Sequence, residues 1–270
     1  MRLRRILLFT PVALTVLASA PAALAYRPFD GTDADVAARG DFELELGPVH
    51  WYSQRDTHYL LVPATVLNLG YAPGWELVVD FQNYLGIDMP PGQARDRLLD
   101  TDILTKVVVI PGVLQDRGKG PSVAAELGPL LPNVNGEESF GASLDVIVSE
   151  RWSWLTVHVN NWVELSRGDL NVDWFEGVIL EGAFHAPMRP VCELYVEHEF
   201  VTNLTTWSAL IGGIWREGED LDLDVGLRQA NVAGERATEV RLGLTWTLGL
   251  WGGKKEEQGR HGGPGVALRR

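Results

Sequence analysis

The chain has a single cysteine, Cys192, in 270 residues, so no internal disulfide can brace it and its fold has to rest on packing and backbone hydrogen bonds. Long apolar runs are missing too: after residue 25, charged or strongly polar side chains interrupt every candidate. A spanning helix needs about 20 consecutive apolar residues, so a helical membrane protein is excluded. Positive charge is scarce, with 23 Lys and Arg against 36 Asp and Glu and a formal charge of −13. A chain with that balance repels polyanions, which removes nucleic acid as a partner. No His-x-x-x-His or similar spacing links the histidines, and no cofactor motif stands out, so neither a metal nor a cofactor is implied.

What is present begins at the N-terminus. Arg2, Arg4 and Arg5 precede a short apolar stretch from Ile6 to Ala20, which ends in Ala23-Leu24-Ala25. A basic head, a short apolar core and a small-x-small site read as an export signal over 1–25, cleaved after Ala25. Residues 26–40 read as an extended periplasmic or plug segment that contains Asp30, Asp33 and Asp35. Those three carboxylates lack the Gly and closing Glu of a calcium loop.

The acidic residues are spread at alternate positions through apolar runs. In Trp154–Leu165, the residues Leu155, Val157, Val159, Val163 and Leu165 fall on one face of a strand, and Thr156, His158, Asn160, Trp162 and Glu164 on the other. A helix would mix the two sets. The same period of two recurs in 42–46, 75–82, 221–228 and 239–248. With the less regular runs included, strands are expected near 41–52, 59–70, 74–84, 101–112, 122–131, 139–149, 154–165, 175–184, 191–201, 206–215, 221–228 and 238–248. The separators carry turn residues, such as Ala72-Pro73-Gly74 and Arg216-Glu217-Gly218.

About twelve strands of 8–12 residues suit a membrane-crossing sheet, and in lipid only a closed sheet satisfies every backbone group. The expected fold is therefore all-β, an antiparallel up-and-down transmembrane barrel over 41–248 in the outer membrane, followed by a disordered Gly- and charge-rich tail over 249–270. Its partners would be outer-membrane lipid, the barrel-assembly machinery and a small solute. Aromatics near strand ends, namely Trp51, Tyr52, Tyr59, Tyr71, Trp75, Tyr84, Trp152, Trp154, Trp174, Trp215 and Trp246, read as girdles at the two membrane surfaces. Val157 and Leu242 would face lipid, and Thr156 and Thr245 the interior. A soluble periplasmic β-barrel binding module alternates in the same way and stays open as an alternative.

Several stretches carry a resemblance. They include Tyr26–Val36, Gly40–Gly47, Gly74-Trp75-Glu76-Leu77, Gly128-Pro129-Leu130-Leu131-Pro132, Asp224–Arg228 and Glu239–Trp246. The chain resembles a family of bacterial outer-membrane barrel transporters grouped with the "MetA-pathway of phenol degradation" proteins. The resemblance implies a barrel, passive transport and an aromatic or hydrophobic solute.

On the barrel reading, the polar faces line a lumen. They carry Glu43, Glu45, Glu76, Asp80, Glu164, Asp222, Asp224 and Glu239, with Arg228, Arg241 and Lys106 balancing part of the charge. Glu193, Glu197 and Glu199 form a further column, with Tyr195 between them. Such carboxylates would admit cations and polar solutes and exclude anions. His158 next to Asn160 in alternation has no evident serine partner in the sequence, so no catalytic residue is assigned and an enzyme is not expected. A non-transporting scaffold barrel is the other reading, since Trp162, Tyr195 and the carboxylates could close a lumen of this size.

Overall fold

The computed structural model describes residues 27–87, 94–115, 119–167 and 170–251. The expected signal and nearly all of the expected tail lie outside them. Twelve antiparallel strands close into one barrel, each paired with its neighbours in sequence and β1 with β12. The strands are β1 (Asp41–Gln54), β2 (Thr57–Ala72), β3 (Trp75–Gly86), β4 (Asp96–Ile110), β5 (Ser122–Leu130), β6 (Gly141–Arg151), β7 (Leu155–Leu165), β8 (Val172–Gly182), β9 (Met188–Glu199), β10 (Leu204–Arg216), β11 (Leu221–Val232) and β12 (Glu235–Gly249). A 3-10 turn, Val113–Gln115, lies between β4 and β5. Among the described residues, no helix is long and apolar enough to cross a membrane.

Alternation fixes the two faces. The outward face is largely apolar: Leu144, Leu194, Ile211, Val225 and Leu242, on five different strands, are 48–63 % exposed, and Asn161 and Glu176, paired across β7 and β8, are polar exceptions on it. The inward face holds Glu45, Glu76, Glu193, Asp222, Glu239 and Arg241, all buried. An uncovered apolar belt of this extent is unstable in water, while a charged interior suits a water-filled lumen, so the faces are those of a membrane barrel and the reverse of a soluble one. Replacing Leu242 by Arg, at the middle of β12, should cost about 2–4 kcal/mol in lipid and abolish heat-modifiable migration of the assembled barrel. Thr156 and Thr245 do point inward but are only 2 % exposed, too tightly packed to take an arginine. The matching inward control is Ser143→Arg, which enters the cavity described below and should assemble normally.

Two prolines shift the phase of alternation. The β1–β12 register slips between Leu46 and Val49, around Pro48, and the β2–β3 register slips between Leu61 and Ala64, around Pro63. Proline has no N–H for the ladder and settles at bulges. As a result Glu43 and Glu45 share the inward face with Tyr52 although their parities differ, and Tyr59 faces inward with Ala64 and Val66. This corrects the girdle assignment: Tyr52 and Tyr59 line the lumen, and so does Tyr84, which alternates in step with Glu76 and Asp80 on β3. Trp51, Tyr71, Trp75, Trp152, Trp154, Trp215 and Trp246 are exposed on the outside, as a girdle requires. β4 starts at Asp96, five residues ahead of expectation, because Asp100 takes a left-handed φ of 50° and the β3–β4 register shifts there between Asp80 and Gln82, so the ladder continues past a break that the alternation alone reads as an end. Ala233 and Gly234 make the two-residue β11–β12 turn with φ of 52° and 83°, which carries β11 on to Val232.

Candidate functional site

The segment before β1 enters the barrel at the end where β1 begins and β12 finishes, and it is bound there as a peptide would be. Gly40 donates its N–H to the Gly70 carbonyl at 2.7 Å. From there, going backwards along the chain, the arm crosses the lumen. The Glu76 carboxylate accepts the Ala37 N–H, and the Ser149 hydroxyl accepts that of Ala34 at 2.9 Å. Asn160 pairs with both the N–H and the carbonyl of Thr32, at 2.7 and 2.8 Å. Glu193 accepts the N–H groups of Gly31 and Asp30 at 2.8 and 2.9 Å. Arg241 donates to the Pro28 carbonyl at 2.7 Å, and Arg27 reaches His50. The arm thus runs past β3, β6, β7 and β9 to β12 and back to β1.

Two wall glycines show how close this approach is. A Cβ on Gly70 would lie 2.1 Å from the Ala38 carbonyl oxygen, and one on Gly243 would lie 2.3 Å from Asp224 and 2.7 Å from the Arg27 guanidinium. A side chain at either place would displace the arm. Ala34 packs with Leu114, Ala124 and Ile147 in a small apolar core beneath the 3-10 turn.

The arm and the side chains of β6 to β11 fill that half of the barrel, where Ile147, His158, Phe175, Ile179, Arg189, Glu193, Leu210 and Ile214 are all nearly fully buried. On the β1 to β5 side a cavity of about 1290 Å³ remains. Its lining runs from Asp41 and Thr247, at the end where the arm enters, to Arg55 and Glu235 at the opposite turns. Sixteen carboxylate side chains and seven Lys or Arg side chains line it. Most of those cations are already engaged: Arg228 bonds Glu239 at 2.6 Å, Arg241 bonds Glu239 and Asp30 at 2.8 Å, Lys106 lies 3.7 Å from Asp33, Arg167 pairs with Asp102 and Arg55 with Glu235.

Of the residues expected to line a lumen, Glu43, Glu45, Glu76, Asp80, Glu164, Glu197, Arg228, Glu239 and Arg241 border this cavity. Four do not. Glu193 is spent on the arm, and Glu199, at the far rim, accepts a bond from Thr202 at 2.7 Å. Asp222 pairs with Arg189 at 2.9 Å, and Asp224 shares the space over Gly243 with Arg27. The cavity also has residues not assigned to the lumen from the sequence, among them Asp33, Asp100, Asp102, Glu126 and Asp145. Asp102, Leu104 and Lys106 do alternate, a signal that was available, whereas Asp33 lies in an arm without strand periodicity.

His158 has partners that its own strand does not disclose. Across the β6–β7 ladder the Ser149 hydroxyl lies 2.8 Å from its Nδ1, and across β7–β8 Glu181 lies 3.3 Å from its Nε2. The three side-chain types are those of a hydrolase triad, but Ser149 is fully buried and its oxygen is capped by the Ala34 N–H. No substrate reaches it in this arrangement, and the chain continues as a structural network through Arg189 to Asp222. Among the described residues, no three His, Cys, Asp or Glu side chains gather as metal ligands.

A closed antiparallel sheet of twelve strands, charged within and apolar without, defines a transmembrane barrel of the outer-membrane type. Solved structures agree on the fold. The chain is similar to the COG4313 outer membrane channel from Pseudomonas putida F1, with a TM-score of 0.62 and 9 % identity over 82 % of this chain and 100 % of that one. It is also similar to the KdgM porin in complex with disordered oligogalacturonate, with a TM-score of 0.50 and 12 % identity over 76 % and 98 %. No protein-family model and no curated protein matches the chain.

Proposed function

We propose that the protein is a passive outer-membrane channel for a small solute, exported by its N-terminal signal and inserted by the barrel-assembly machinery, and that it is not an enzyme. The observation that carries this reading is the cavity beside the arm, whose lining residues reach both ends of the barrel. A scaffold barrel has no need of a wet, charged interior of this volume, since apolar side chains would fill it with fewer buried charges. Solute would pass along the β1 to β5 wall, where Glu43, Glu45, Glu76 and Asp80 set a negative potential, with Glu164 on β7 and Glu197 on β9 adding to it. Oligogalacturonate, the polyanion held by the KdgM porin, is the kind of solute such a wall would repel. Kinship with the transporters labelled for phenol degradation is part of this proposal, and it favours a solute with an aromatic part.

Extraction from cell envelopes tests the location. The protein should need detergent to leave the outer-membrane fraction and should migrate differently on a gel before and after heating. Release as a soluble protein on osmotic shock would refute the membrane assignment. The purified barrel should then conduct in planar bilayers, and a folded barrel without conductance or solute uptake in liposomes would favour the scaffold reading.

A further inference from the structure

The half of the cavity away from the arm's entry carries aromatic rings on opposite walls. Tyr52, Tyr59 and Tyr84 lie side by side on β1, β2 and β3, with ring centroids 6.1 Å apart in each adjacent pair. Two of their hydroxyls are tied down, Tyr52 donating to Gln54 at 2.8 Å and Tyr84 to Asp100 at 3.2 Å, which holds the rings in place. Trp162 stands on β7, six strands from β1 in either direction round the barrel. Phe175 stacks on one of its faces at 3.6 Å and is itself buried, so of that pair Trp162 alone borders the cavity. All four residues fall two or three positions from the same end of their strands.

Carboxylates sit among the rings. Glu197 is the cross-strand partner of Phe175 and Glu164 follows Trp162 on the same face, while Glu239, across from Tyr52, is already paired with Arg228 and Arg241. Aromatic faces alone would take any flat apolar group, but a neutral solute gains nothing from the surrounding negative charge. A cation with an apolar or aromatic part gains from both. An anion finds five of the cavity's seven Lys and Arg side chains already engaged by acidic partners; the other two are Arg27, in the arm, and Arg97, across the ladder from Tyr84. We propose that the tyrosine wall and Trp162 form a binding station for organic cations, amines or quaternary ammonium compounds that carry an aromatic or apolar substituent. This names the solute class of the channel and rests on the channel reading.

The test uses the purified full-length barrel in detergent, with benzyltrimethylammonium, benzyl alcohol and benzoate as probes in titration calorimetry. The cation should bind roughly tenfold or more tightly than the alcohol, and benzoate should not bind. Tyr59→Phe keeps the ring and should keep the affinity, while Tyr59→Leu and Trp162→Leu should each weaken the cation severalfold in barrels that still shift on heating. If the tyrosine variants misfold, the pair Glu164→Gln and Glu197→Gln serves instead and should narrow the gap between cation and alcohol. Equal affinity for cation and alcohol, or full affinity in both leucine variants, would overturn the station. Binding is read without a membrane, so the two readings fail separately. A barrel that binds the cation but conducts nothing keeps the station and overturns the channel. One that conducts and does not discriminate overturns the station alone.

Discussion

Deleting residues 27–38 from the mature chain should raise single-channel conductance severalfold while leaving the barrel intact. The arm occupies the half of the lumen facing β6 to β11, and its removal would join that space to the cavity along β1 to β5. The barrel itself should survive, because every strand has both neighbours in a closed ladder and the arm contributes to none of the strand pairs. A milder version isolates the clamp. Glu193→Ala would leave the amide N–H groups of Asp30 and Gly31 without their acceptor, at a cost of about 1–3 kcal/mol for the buried Gly31 group and less for the half-buried Asp30 group. Bilayer recordings on Glu193→Ala should then show frequent steps between the wild-type level and the level of the deletion, as the arm leaves and returns. If the deletion conducts no better than the wild type, the arm does not obstruct the path and the plug assignment fails.

The second large effect concerns selectivity. Glu43, Glu45 and Asp80 line the cavity and make none of the backbone contacts that hold the arm, so replacing them by Gln, Gln and Asn removes charge while keeping shape. The preference for potassium over chloride should fall severalfold in the triple variant at low salt. The wild type should lose much of its preference as salt rises from about 0.1 M to 1 M, because the screening length shrinks from about 10 Å to about 3 Å. Glu193, Glu197 and Glu199, an obvious column in the sequence, are the wrong set for this experiment. One of them clamps the arm and another lies at the rim, so changing all three would mix gating with selectivity.

The fold was readable because a half-wet sheet writes its two faces into alternate residues. Leu221–Arg228 and Glu239–Leu248 reveal inside and outside directly, and all twelve strands were placed. Alternation is silent about phase across a bulge, and this misplaced Tyr52 and Tyr59 among the girdles when Pro48 and Pro63 had turned them inward. It is equally silent about which residues stand abreast on different strands. Ser149, His158 and Glu181 come together only through the register of two ladders, so a search along one strand finds Asn160 beside His158 and misses the true partners. The arm was the least legible part. Its backbone is recognised by side chains scattered from Glu76 to Arg241, and nothing in residues 27–40 announces those contacts.

On the proposed function, water and small cations cross this barrel along an acidic wall. The reversal potential of the full-length protein in a planar bilayer, with a tenfold gradient of potassium chloride, tests it most directly. A potential of the sign set by potassium, shrinking in the Glu43→Gln, Glu45→Gln, Asp80→Asn variant, is the expected result. A potential of the sign set by chloride, or a folded barrel that stays closed even after residues 27–38 are removed, would contradict it.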